Sequence, residues 1–523
     1  MIRLASKVCS LEEAVSSIRD GATVASTGVI GWLTPDALLK GLADQYRAGR
    51  GPSDLTFFFP VGTGDAMEIR GMDHVAIPGL MRRIVCGNYI NPVDPKTGQR
   101  PSLMRLIKEN QIEAYAWPIG ATMHWLREVA RRGPGYLTRV GLGTFIDPRQ
   151  DGGRLNDRTK EDLVLLREFE GREYLYYPTW SLDVAFIRAT SADESGNLSF
   201  EDEPLQSAAL AIALAVKACG GTVIAQVKRI VERNVRPAAQ VLVPGVLVDR
   251  VVVEPEALMT TDVKFDSRYL GGKFTAEDFA PVAPGIEKVI ARRAAKELRE
   301  GEVSIFGFGA SSDIPMILVE DGAFSNGGIH RYSHTTEHGA FGGVVTSGWQ
   351  FSANLFPEAV IDGASQFDFI NGGGCAFAAL AFAQLDAHGD VNVSKFGSYN
   401  PGSGGFTDIA ANARRLVFTG TFTTGGLVAE LTGHGLRIER EGKARKFVNK
   451  VEQTTYQAGR GVREDRQSAL VVTERAVFSV EAEGLILREI APGVDLQEHV
   501  LNLMEFSPLI DPNIKMMDPT LFR

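Results

Sequence analysis

Apolar positions along the chain change their spacing, and the changes mark elements. Short runs rich in β-branched residues, RRIVCG (82–87), TVIAQV (222–227), VLVDRVVV (246–253) and RLVFTGTF (415–422), predict strands. Between them lie stretches with helical spacing, such as DALLKGLADQYR (36–47) and PLQSAALAIALAVKACG (204–220). Strand and helix in alternation predict an α/β fold with a largely parallel sheet. Two compact apolar stretches, AALAIALAV (208–216) and CAFAALAFA (375–383), are too short to span a bilayer and suit buried helices.

The pattern also echoes itself. Residues 12–39 and 291–318 each pass from an amphipathic helix through a charged turn to a glycine, Gly21 and Gly301. Each continues as a short strand and more glycines, then a proline, Pro35 and Pro315, that opens another helix. A second echo pairs SADESGNLSF (191–200) with QLDAHGDVNV (384–393), both carrying Asp-x-x-Gly-[Asn/Asp], a tight-turn signature. The echoes predict two related open α/β domains in tandem, 1–254 and 285–523. The polar stretch 255–284, with Pro281 and Pro284, is expected to be a linker.

Composition narrows the classes. The 523 residues are 44% hydrophobic and 23% charged, with a net charge of −9. That balance excludes a general nucleic-acid binder, which needs a basic face. The opening MIRLASKVCSLEEAV has no signal-peptide run, so a cytoplasmic location with no membrane role is expected. Cys9, Cys86, Cys219 and Cys375 form no CxxC pair and are expected to be free thiols.

Reactive side chains and glycines crowd into residues 307–426: GFGASSDIP, TTEHGAFGGV, INGGGCAF, NPGSGGFTD and GTFTTGG. Backbone N–H groups in such runs can bind an anion or an oxyanion. No clean GxGxxG follows a strand, which argues against a dinucleotide site. His330, His334 and His338 recur every four residues, but HExxH is absent. Flanking glycines and β-branched Thr335 and Thr336 favour extended chain over a helix that would align three zinc ligands, so no metal is expected. Glu337 instead precedes a glycine-rich turn that a bulky substrate can approach. Spacing alone leaves open a covalent nucleophile or a surface carboxylate.

These segments, with FSANLFPEAVIDGASQFDFINGGG (351–374), VNVSKFG (391–397) and KFVNKVEQTTY (446–456), resemble the family I coenzyme A-transferases. The likeness is strongest to single-chain acetate/propionate enzymes with fused α- and β-type subunits, and it covers nearly the whole chain. The resemblance implies open α/β domains of the CoA-transferase type and transfer of CoA between an acyl-CoA and a short-chain acid. It makes Glu337 the nucleophile, carrying an acyl anhydride and then a CoA thioester in a ping-pong cycle. Gly404 and Gly405 are the implied oxyanion-hole donors, and Gly373, Gly374 and Lys395 the implied CoA contacts. No cofactor is implied beyond CoA itself, and a dimeric or tetrameric homo-oligomer is. An acyl-CoA hydrolase on the same scaffold and a non-catalytic CoA-binding protein are the alternatives. The chain departs from the pattern at Ser312-Asp313, at His338, at Ser347-Gly348-Trp349 and at Pro118-Ile119-Gly120. Trp349 and Trp32 are expected to shape an unusual acyl pocket.

Overall fold

The computed structural model describes residues 6–322 apart from 91 and 95, residue 328, and residues 331–523. His330 lies outside the described residues. Among them, strands from the first half build a nine-stranded sheet. Its centre is parallel: Val184–Asp193, Thr23–Ser26, Leu55–Phe59, Met81–Cys86 and Glu113–Ala116 lie side by side. A ten-stranded sheet from the second half has the same core plan. There Ser333–Thr335, Val303–Phe306, Phe377–Ala381, Arg415–Thr419 and Ser468–Val472 run parallel, and an antiparallel meander follows.

The echo seen in the sequence has a structural counterpart. Gly21 and Gly301 have φ of 71° and 78°, a left-handed turn that favours glycine, and each feeds a strand two residues later. Each of those strands is flanked on both sides by parallel neighbours. Pro35 caps the helix Asp36–Arg47, and Pro315 sits in the first turn of Ile314–Glu320. The second echo is a pair of matching turns. Asp193 Oδ1 accepts the N–H groups of Ser195 and Asn197, as Asp386 Oδ1 accepts those of His388 and Asp390.

One assignment is reversed. The stretch 208–216 forms the N-cap and most of the helix Ala209–Ala218, but CAFAALAFA is not a helix. Its centre, Phe377–Ala381, is a strand in the middle of the second sheet, and nearly all of it is buried. A strand covered on both faces is apolar at every position and shows no alternation, so its sequence looks like a buried helix. The segment 255–284 packs against both halves. Met259, Thr260 and Thr261 are buried. Thr261 donates its hydroxyl to Asp65 Oδ2 at 2.7 Å and its carbonyl accepts Gln350 Nε2 at 2.8 Å. No helix among the described residues is long and apolar enough to cross a membrane.

Candidate active site

Parallel sheets leave their loops at the C-terminal ends of the strands, where the chain is free to form a crevice. Five such ends meet here. Val29 and Ile30 follow Thr23–Ser26, Val61 follows Leu55–Phe59, and Asn88–Ile90 follow Met81–Cys86. From the second half, Gly307 and Phe308 follow Val303–Phe306, and Glu337 and His338 follow Ser333–Thr335. Together with the 401–406 loop they line a cavity of about 520 Å³.

The Glu337 turn is fastened from several directions. Thr335 Oγ1 donates to Ala340 O at 2.8 Å, and Thr336 Oγ1 to Ser352 O at 2.9 Å. Gln366 Nε2 donates to Thr336 O at 2.6 Å. Gly339 follows at φ 94°, where a Cβ would run into the carbonyl of Ile361. The Glu337 side chain is therefore recessed, with 16% of it exposed, and His338 Nε2 lies 3.3 Å from its Oε1. Its Oε2 rests on the α-carbon of Gly405, where any Cβ would collide with it.

The glycine loop is held by the first half of the chain. Gly404 N–H donates to Gly87 O at 3.1 Å, and Gly404 O accepts Ile119 N–H at 3.0 Å. Tyr89 N–H donates to Pro401 O at 2.7 Å. The Gly404 N–H is thus engaged already. The Gly405 N–H has no acceptor among the described residues. Three residues on, Asp408 Oδ2 accepts Gly120 N–H at 3.0 Å, and Asn371 Nδ2 lies 3.4 Å from Oδ1. Burial pushes the Asp408 carboxyl up to about 7, and the nearby Glu337 charge adds to the rise. Sequence reasoning passed over Asp408, whose only signal was an acid just behind the glycine run.

The remaining expected site residues are scattered. Trp349 lines the cavity. Trp32 is fully buried behind it, with Nε1 donating to Phe351 O at 3.2 Å. Lys395 lines a neighbouring cavity of about 490 Å³ with Arg154, Lys160 and Asn400. Gly373 and Gly374 are not brought into either cavity. They end the helix Gly363–Asn371, with Gly374 N–H on Phe369 O at 2.9 Å. His334 and His338 have different neighbours. His334 is buried against the Phe306 ring with Nδ1 3.3 Å from Gly343 O, and burial lowers its pKa to about 4. No cluster of three metal-ligating side chains occurs among the described residues.

A recessed carboxylate beside a glycine-rich loop is equipped for acyl transfer. The coenzyme A transferase family matches residues 8–254. The acetate CoA-transferase YdiF of Escherichia coli K12 is 40% identical over 518 residues, covering 98% of this chain and 95% of that one. The caffeate CoA-transferase of Acetobacterium woodii is 38% identical over 527 residues, covering 99% and 97%. The solved acyl-CoA transferase YdiF of Escherichia coli O157:H7, in a thioester complex with CoA, superposes with a TM-score of 0.89 at 38% identity, over 99% of this chain and 96% of that one. The chain belongs to the coenzyme A transferase family, and it is a CoA-transferase.

Proposed function

We propose that this enzyme moves CoA from a short-chain acyl-CoA, such as acetyl- or propionyl-CoA, to a second carboxylate, with Glu337 as the covalent relay. Glu337 attacks the thioester carbonyl, and the tetrahedral adduct expels CoA thiolate to give an acyl-glutamyl anhydride. The thiolate then attacks the Glu337 carbonyl, which releases the first acid and leaves a glutamyl-CoA thioester. A second acid reverses both steps and departs as the new acyl-CoA. The thioester bond energy is retained because no water enters.

The observation that carries this reading is the seat of Glu337: recessed, fastened by threonines, and in contact with Gly405. Each step passes through a tetrahedral oxyanion, and one well-aimed donor there contributes about 3–4 kcal/mol. The Gly405 N–H takes that role. Gly404, whose N–H is held by Gly87, shapes the loop. The two relatives act on acids as different as acetate and caffeate, so their names leave the second acid of this chain open. The reaction as drawn uses no cofactor beyond CoA, which is both substrate and covalent intermediate. A cytoplasmic homo-oligomer belongs to the same proposal.

The test is mass spectrometry after addition of propionyl-CoA. A CoA adduct is expected on the peptide containing Glu337, and none in Glu337→Gln. Loss of acyl-CoA that is equally fast with and without an acceptor acid makes the enzyme a hydrolase instead. An adduct on another residue overturns the relay.

A further inference from the structure

The cavity around Glu337 has two unlike walls. One is apolar: Val29, Ile30, Phe306, Phe308, Trp349, Phe351 and Leu380. The other is the 401–405 backbone with Asn88, Ser403 and the adjoining Tyr89 and Ile90, continuing to Val393 and Tyr399. That second wall runs into the neighbouring cavity through shared chain, since Lys395 and Asn400 line one cavity while Tyr399 and Pro401 line the other. The neighbouring cavity carries Lys395 and Lys160, which can meet phosphates, together with Asp151, Asp157 and an Arg154 that is paired with Asp162. The pantetheine arm of CoA has amides to satisfy and phosphates beyond them, so the second wall fits it. The aromatic wall then remains for the acid.

That wall is far larger than a two- or three-carbon acid requires. Phe308 is 59% exposed although it stands at the cavity, and it meets Phe351 edge-on, with ring centroids 5.6 Å apart and planes at 89°. Trp349 is half-buried on the one-turn helix Gly348–Gln350. Phe351 is fixed from behind, because Trp32 donates to its carbonyl. An open aromatic surface beside a reactive carboxylate gains by covering itself with an apolar, preferably flat, group. Resting on the reading of Glu337 as the relay, we propose that the second acid carries an aryl-sized apolar group, seated against Phe308, Trp349 and Phe351. The exchange is balanced without a further reactant. The C–S bond of the short acyl-CoA breaks, a C–S bond to the bulky acyl group forms, and the short acid leaves as its carboxylate.

The experiment compares acetate with 3-phenylpropanoate as acceptors from propionyl-CoA. The expected result is a kcat/KM at least tenfold higher for 3-phenylpropanoate. In Phe308→Ala and in Trp349→Ala the ratio of the two values should fall at least tenfold. Phe308 is exposed enough that its truncation leaves folding intact. Equal or better use of acetate overturns this inference alone, as does an unchanged ratio in both variants. Failure to transfer CoA to either acid, with no adduct on Glu337, overturns the relay on which it rests.

Discussion

At Gly405 the backbone has unremarkable angles, φ −83° and ψ −2°, that any residue adopts. Glycine is needed there for space alone, because a Cβ would come within 1.9 Å of Glu337 Oε2. Gly405→Ala is therefore a clean probe of geometry: it adds no backbone strain and must displace the carboxylate. A displacement of about 1 Å from attack geometry costs roughly 100-fold in rate. We expect kcat to fall by about that factor, with the melting temperature shifting little, as read by steady-state kinetics and thermal unfolding of the same preparation. Activity near that of the wild type would mean that Glu337 does not work from the position seen here.

Between elements, the short helix Phe406–Asn412 is tied to Ile119–Ala130 of the first half by the Asp408 carboxyl on Gly120 N–H. That carboxyl ionises near 7 in the folded protein, against an ordinary 3.8. The unfolded chain thus releases this proton at lower pH than the folded one. The contribution to stability is complete below about pH 4 and is lost as pH rises through 7, by about 4 kcal/mol in all. Asp408→Asn keeps an oxygen for Gly120 and removes the titration. Urea midpoints measured from pH 5 to pH 8 should show the variant gaining on the wild type as pH rises. A constant gap between the two would deny the shift.

The glycine–strand–proline units at Gly21 and Gly301, and the Asp193 and Asp386 turns, were legible because each is a local device written within a few residues. Glu337 stands out in the sequence through its glycine context, and the structure places it, recessed, at the cavity. Phe377–Ala381 was misread because a strand buried on both faces has no period to betray it. The engagement of Gly404 by Gly87 could not be read at all. Those residues are over 300 positions apart, and only the meeting of the two sheets makes them partners.

The whole molecule brings the two sheets together at one site, and the packing suggests that they stand or fall together. One cluster of buried apolar residues runs from Val24 and Phe58 in the first half to Phe406, Phe418 and Phe478 in the second, while a smaller one around Val289, Ile314 and Phe377 lies within the second half. The 255–284 segment bonds to Asp65 on one side and Gln350 on the other, so it is fastened to both halves. Repeated halves of this size would ordinarily unfold as two domains, each with its own core. A shared core makes partial unfolding expensive, because melting one sheet exposes apolar surface on the other. Calorimetry should then give one heat-absorption peak whose van't Hoff and calorimetric enthalpies agree. Two resolved peaks, with activity lost at the first, would show that the halves are energetically separate and that the site depends on docking alone.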